Sequence, residues 1–440
     1  MYHPLSTMPT VVVVGAGVAG LCAALQAARS GAKCVLVEKN GICGGTLSAA
    51  GIACPGLFFG WEGRQVIGGI GWELVSDTLK TCNTPVPDFT GFTAENFWRF
   101  QVEVEPFVFT ALCERKLREA GVELHYHTML AAVSRLKGGW KITLCGKDGL
   151  YDRSAEILID CTGDANAVHQ AGFPLSVPRE CQPGTYSGFC SGYDPDKVDY
   201  VALQEAYLKA EARGEILPAD LGWGSGFSPL FLLRRGTNAN HVNGINGCDS
   251  EGRTRMEVAG RESLLRVYRF LKRNPGFERL RMDCAMECGV RESRTIIGEE
   301  RVTAEEYRSG KVWPETIAQA FYPMDLHDAT QGIIKVDLPR GVVPTVPRGA
   351  LIPAGSSGLI AAGRIIASDR LANAALRIQA VCMATGQAAG ALAALSAERH
   401  CEPKDLPYAV LREELLAHRV ILPENGEMAS PAGGREECRA

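Results

Sequence analysis

Apolar blocks and small-residue turns alternate along the first forty residues. Val11-Val12-Val13-Val14 is a β-branched run with no polar interruption, which predicts a strand buried on both faces. Glycines follow at once, and residues 21–28 then read as an apolar, alanine-rich helix. A second apolar strand, at 34–37, ends on the charged pair Glu38-Lys39. This is a β-α-β pattern, the repeating piece of a parallel sheet.

The pattern then changes. Residues 58–87, rich in Gly, Trp and Pro, read as an irregular cap. Residues 96–120 predict a helix with a kink or break at Pro106 and a stop at Gly121. Strand-like runs follow at 122–127, 130–133, 140–144 and 155–160, with turns at Gly138-Gly139 and Asp148-Gly149. They predict a β-meander inserted into a parallel domain. Residues 173–353 show less β-α alternation and more scattered Trp, Tyr, Pro and charge, with helical periodicity at 255–272. After Pro353 the first pattern returns as a short strand at 359–362 and a small-residue helix at 376–395, whose Gly386 and Gly390 permit close packing. The organisation expected is a first domain at 1–172, an insert at 173–353 that carries the substrate side, the rest of the first domain at 354–423, and a frayed tail at 424–440. There is no long internal repeat.

Bulk properties change this little. The chain has 440 residues, enough for two or three domains, and its 46% hydrophobic and 22% charged residues are those of an ordinary globular protein. A net charge of -4 implies no global polyanion-binding surface, and no nucleic-acid partner is expected. The 16 cysteines form no paired C-x-x-C sets, so no metal site is expected. They read as packed or isolated thiols of a reducing cytosol, Cys284 and Cys288 being four apart as on a helical face. Residues 1–10 have no basic n-region or separate apolar h-region, and the valine run is too short to cross a bilayer. A cytoplasmic protein without a transmembrane segment is the expectation.

The glycines carry the chemistry. Gly15-Ala16-Gly17-Val18-Ala19-Gly20 has the spacing G-x-G-x-x-G between strand and helix. Gly15 allows the tight turn, Gly17 the approach of a pyrophosphate, and Gly20 close helix–sheet packing. The helix N-terminus offers free N–H groups and partial positive charge to phosphates. Glu38, roughly twenty residues on, is placed to accept bonds from ribose hydroxyls and would repel the 2′-phosphate of NADP. In the second cluster, Gly44-Gly45-Thr46, small residues let backbone lie against a cofactor, and Thr46 and Ser48 are candidate donors. The strand at 157–160 runs into Thr162-Gly163-Asp164, a turn that brings backbone near a dinucleotide unless Asp164 is only a helix N-cap.

Together with Gly289-Val290-Arg291-Glu292-Ser293-Arg294, Pro323-Met324-Asp325-Leu326-His327-Asp328, Ala361-Ala362-Gly363-Arg364 and the 382–390 helix, these motifs resemble the bacterial FAD-dependent oxidoreductases. That family has two dinucleotide-binding domains and is related to the fumarate reductase and succinate dehydrogenase flavoproteins. The resemblance runs from residue 11 to about residue 395. It implies an α/β fold, a Rossmann-like FAD-binding domain with a β-meander plus an inserted α+β substrate domain. It implies noncovalent FAD with its ADP half on residues 15–20, Glu38 and Lys39, and its adenine near Leu130. Thr162, Gly163 and Asp164 would border the cofactor, Gly363 and Arg364 would hold its ribityl–pyrophosphate end, and Arg377, Ile378 and Gln379 would meet the flavin. No histidine lies in the glycine loop to anchor flavin covalently, and the relatives' dicarboxylate-binding Arg and His pattern is absent save for Arg370 and Arg377.

A flavin enzyme must orient its substrate, move one proton and exclude water. His241 and His327 are the candidates for proton transfer, or else structural histidines. Arg291 and Arg294, three apart, would share a helical face and clamp an anionic substrate or stabilise flavin charge, or else pair with Glu287, Glu292 or Glu299. The expectation is an FAD-dependent dehydrogenase or oxidase moving hydride between a polar small molecule and the flavin. Three alternatives stand beside it: a reductase of an activated C=C bond, an NAD-consuming enzyme of the thiazole-forming type, and a flavin-bound protein without catalysis. There is no second G-x-G-x-x-G, so oxygen, a quinone, another protein or a visiting nicotinamide would be the second electron partner. The sequence leaves a homo-oligomer open.

Overall fold

The valine run becomes β1 (Val11–Val14), fully buried at the centre of a five-stranded parallel sheet. Residues 10–424 other than 95, 222–226 and 329–331 are described in this computed structural model. The expectations for a leader and a frayed tail fall on 1–9 and 425–440, outside the described residues. From β1 the chain continues through α1 (Val18–Arg29), β2 (Cys34–Val37), α2 (Gly69–Thr81), α3 (Pro106–Glu119) and β3 (Glu123–His125). Pro106 starts α3 and does not kink it. A proline lacks the N–H and keeps the residue before it extended, so it suits the first helical turn, while 97–100 form a separate 3₁₀ turn.

The meander is β4 (Met129–Leu136), β5 (Gly139–Gly146) and β6 (Gly149–Ala155), followed by β7 (Ile157–Asp160) and α4 (Asn166–Gln170). Of the runs expected in the meander, 122–127 and the end of 155–160 belong instead to the parallel sheet, as β3 and β7. The order is the strand Leu359–Ala361, then β7, β1, β2 and β3. The third meander strand is β6, whose mixed polar composition hides it from an apolar search.

The last long helix, Gln379–Glu398, lies on α1. A Cβ at Gly386 would come within 2.1 Å of Ala19 O, and one at Gly390 within 2.2 Å of Ala23 O. The two helices therefore touch backbone to backbone. The helix is apolar and long enough to cross a membrane, but it is enclosed by the protein along its length.

A second core gathers Cys190, Tyr207, Phe231 and Phe270 around the strands Gly188–Ser191, Gly236–Thr237 and Arg281–Cys284. The helix Ser250–Lys272 crosses it, its Asp249 cap accepting from Gly252 N at 2.7 Å. Cys284 sits on a strand and Cys288 in a loop, so they share no helix. Residues from Ile296 to Ile352 contribute to the first core.

Replacing Gly386 or Gly390 by valine should overpack the helix contact. A loss of about 3 kcal/mol is expected, at the upper end of overpacking costs because the clash is with backbone. A urea midpoint unchanged from the native protein would contradict this packing.

Candidate active site

The turn after β1 is built by exclusion. Gly15 has φ of 97°, and a Cβ there would lie 2.4 Å from Cys161 O; a Cβ on Gly20 would lie 1.8 Å from Gly15 O. Gly17 differs, because nothing lies within 4 Å of its missing Cβ. It opens onto a cavity of about 930 Å³. Gly17 caps α1 without any side-chain bond, which leaves that helix end to be satisfied by a ligand.

Glu38 is only 6% exposed beside this loop. Its carboxylate accepts from Ala16 N at 2.8 Å and Asn40 N at 2.9 Å. Burial raises its pKa, and the two N–H donors oppose that shift. The neighbouring Lys39 points elsewhere, to Glu287 at 2.6 Å. Thr128 N donates to Glu38 O at 3.0 Å, which brings the start of β4, including the half-buried Leu130, to the end of β2. Gly44 N donates to Ala16 O at 2.8 Å, folding the second glycine cluster back on the first. Gly45 packs there too, a Cβ on it falling 2.9 Å from the Gly17 Cα. Thr46 lines the cavity, whereas the Ser48 hydroxyl donates to Cys43 O at 2.5 Å and is spent within the loop.

At the end of β7, Asp160 does the capping that the sequence offered to Asp164. Its buried carboxylate accepts from Thr162 N, Thr162 Oγ1, Ala167 N and Val168 N at 2.7–3.0 Å. Asp164 instead pairs with Arg364 at 2.8 Å; burial would raise its carboxyl pKa, but Arg364, Arg253 and Ser293 together hold it below the usual range. Arg364 also donates to Gly163 O at 2.6 Å and Val290 O at 2.9 Å. Gly163, Gly363 and Arg364 line the cavity, as do Val18, Ala19, Arg377, Ile378 and Gln379. Gly15, Ala16, Gly20, Glu38, Lys39, Gly44, Gly45, Leu130, Thr162 and Asp164 are not part of that lining.

The far wall fits a flavin. Arg377 donates through Nη2 to Asp325 O at 3.1 Å and to Gln182 Oε1 at 3.3 Å, but its buried Nε has no partner among the described residues. Gln379 donates to Ile52 O at 2.9 Å, but its buried Oε1 has no partner among the described residues. A free donor beside a free acceptor is what a flavin pyrimidine edge, with carbonyl oxygens and an N–H, would satisfy. Ile378 caps the last helix without a side-chain bond, adding N–H character at the same place.

The expected proton-transfer and clamp residues separate here. His241 and His327, 86 positions apart, meet with Nε2 and Nδ1 at 3.1 Å. His327 Nε2 also lies 3.3 Å from Asp325 Oδ2. Burial and the nearby Arg291 push His241 down to about 3 and His327 to about 4. Asp325 is held low by His327, Arg377 and Arg291 against its own burial. Asp325 and His327 line the cavity. Arg291 does too, donating to Pro183 O at 2.8 Å, and burial lowers its pKa to about 10. Arg294 turns away to Asn166 Oδ1 at 2.6 Å. Residues 291–294 are a loop, so the expected helical face does not exist. Their neighbouring acids go elsewhere: Glu287 to Lys39, Glu292 to Arg370 at 3.0 Å, and Glu299 to Gly355 N.

Asp325 was missed in the sequence, although Asp-x-His on a strand is the spacing of one face. Gln182, which accepts from His327 N at 3.1 Å, had no such signal. Cys43 is buried, which pushes its thiol up to about 12. Among the described residues no group of His, Cys, Asp and Glu could hold a metal.

The sequence matches the family described as FAD dependent oxidoreductase over residues 10–415. No curated protein matches it. Among solved structures, a geranylgeranyl bacteriochlorophyll reductase-like protein from Thermoplasma acidophilum is 13% identical, covering 93% of this chain and 83% of that one with a TM-score of 0.44. The p-nitrophenol 4-monooxygenase of Pseudomonas putida is 12% identical, covering 94% and 84% with a TM-score of 0.38. CabE, an aromatic hydroxylase from angucycline biosynthesis, is 17% identical, but the match covers 43% of this chain and only 38% of that one, with a TM-score of 0.31.

The histidine pair makes stability fall in acid. Both pKa values lie below the ordinary 6.5, so the unfolded chain takes up protons that the folded chain refuses as pH drops from 6.5 toward 4. The expected slope is about 1.4 kcal/mol per pH unit for each ring. Urea midpoints between those pH values should fall less steeply in His241→Gln and His327→Gln than in the native protein.

Proposed function

The chain belongs to the FAD-dependent oxidoreductase family, and on that premise we propose that it is a dehydrogenase or oxidase for a polar small molecule bearing an anionic group. Bound FAD supplies a two-electron centre that takes or gives hydride. The observation that carries this reading is that one cavity is lined both by the cofactor wall and by Arg291, Arg377, Asp325 and His327.

The charges of that wall do not cancel. Two guanidiniums face one carboxylate, and burial keeps both histidines neutral. A low-dielectric site with surplus positive charge favours an anionic group, which Arg291 and Arg377 would grip. Tyr322, held by Gln101 at 2.9 Å, gives a further polar contact on the same wall. The hydrogen-bonded chain of Asp325, His327 and His241 would accept the proton that accompanies hydride.

Two outcomes are expected. Heating the purified yellow protein should release its flavin into the supernatant, since noncovalent binding is proposed; colour left in the precipitate would contradict that. Under anaerobic conditions, carboxylate-bearing alcohols or amines should bleach the visible flavin band. Arg291→Met should then raise the half-saturating concentration about tenfold to a hundredfold while the flavin stays bound. If no compound in such a panel bleaches the flavin, the hydride-transfer reading fails.

A further inference from the structure

Both ring nitrogens of His327 are already engaged. Nε2 lies 3.3 Å from Asp325 Oδ2 and Nδ1 lies 3.1 Å from His241 Nε2. The chemistry of the partners fixes where the hydrogens sit. An ionised carboxylate only accepts, so the hydrogen between His327 and Asp325 is on His327 Nε2. The ring is buried beside Arg291 and Arg377 and is neutral, so its Nδ1 is a lone pair. His241 must then donate through Nε2, and as a neutral ring it keeps its own lone pair at Nδ1.

Both N–H bonds therefore point one way, toward Asp325. His327 has no lone pair left for a substrate. His241 has one, but His241 is not part of the cavity lining. Asp325 does line the cavity, and its Oδ1 makes no hydrogen bond among the described residues.

We infer that Asp325 is the catalytic base of the hydride-transfer reaction and that His327 and His241 are its positioning residues. This rests on the hydride-transfer reading above. The substrate O–H or N–H bond breaks and its proton goes to the Asp325 carboxylate. Bound FAD would supply the two-electron acceptor for the hydride on the adjacent carbon, which would become a carbonyl or imine. The charged groups facing Asp325 are Arg377 and Arg291, and the neutral His327 adds a hydrogen bond. The two guanidiniums that keep it ionised are the ones that would bind the substrate's anion. Binding would cancel part of their field and raise the basicity of Asp325 when the proton has to move.

The first test needs no substrate. In protein labelled with nitrogen-15 at histidine, with His241→Gln and His327→Gln used to assign signals, NMR at neutral pH should show both rings neutral and carrying hydrogen on Nε2. A His327 ring with hydrogen on Nδ1, or a doubly protonated ring, would overturn the arrangement. The second test uses the compound that bleaches the flavin fastest in the panel above. Asp325→Asn should slow flavin reduction about a hundredfold or more, while the flavin spectrum is retained. His327→Gln should slow it less and move the acid limb of the pH–rate profile to higher pH, because a hydrogen bond that lowers the Asp325 pKa is lost. Asp325→Asn within about threefold of native, or a histidine variant slower than Asp325→Asn, would overturn the inference. If nothing bleaches the flavin, the functional reading fails, and the tautomers still decide whether the three side chains are wired toward Asp325.

Discussion

Backbone-to-backbone contact along α1 is the constraint on which the rest of this structure depends. Gly20 lets the helix start against the carbonyl of Gly15, and Gly386 and Gly390 let the last helix settle onto Ala19 and Ala23. A Cβ at these points would meet a backbone oxygen at 1.8–2.2 Å, so the packed segments would have to move apart. With them absent, the glycine turn of β1 and the capless start of the last helix open on the same cavity. One end suits phosphates and the other a flavin, and helix packing sets the distance between those two ends.

Charge in the site is arranged by the same economy of partners. Asp160 meets four donors and no cation, so it organises the turn without adding a salt bridge. Arg364 has three partners and serves mainly to fix the loop beside it. Against these satisfied groups, the unpartnered Nε of Arg377 and Oε1 of Gln379 stand out. Unsatisfied buried polar atoms are costly in a folded protein unless something else completes them.

How much of this was legible depends on the range of the interaction. The valine strand, the glycine loop and Glu38 form a local code within about thirty residues, and local sterics determine it. The family resemblance extended that reading to the whole fold. What failed was also physical. Pro106 was given a kink or a break, and of the two only the kink fails, because a proline suits the first turn of a helix. Strands β3 and β7 were assigned to the meander because pairing partners cannot be read from an apolar run. The meeting of His241 with His327 and Asp325 joins loop and strand across 86 positions, with no periodic pattern to announce it. Arg291 and Arg294 kept their number spacing but lost their shared face when the segment proved to be a loop.

Three arginines of the cavity share one habit: they grip main-chain oxygens. Arg364 reaches Val290 O, Arg291 reaches Pro183 O and Arg377 reaches Asp325 O. A carbonyl is supplied by any residue, so Val290 and Pro183 can drift in identity without unfastening the arginine across from them. The partnership is asymmetric under mutation, rigid at the arginine and permissive at its acceptor. An enzyme fastened this way can change the walls around its substrate while the flavin's seat stays where it was, which is how one scaffold comes to accept new molecules.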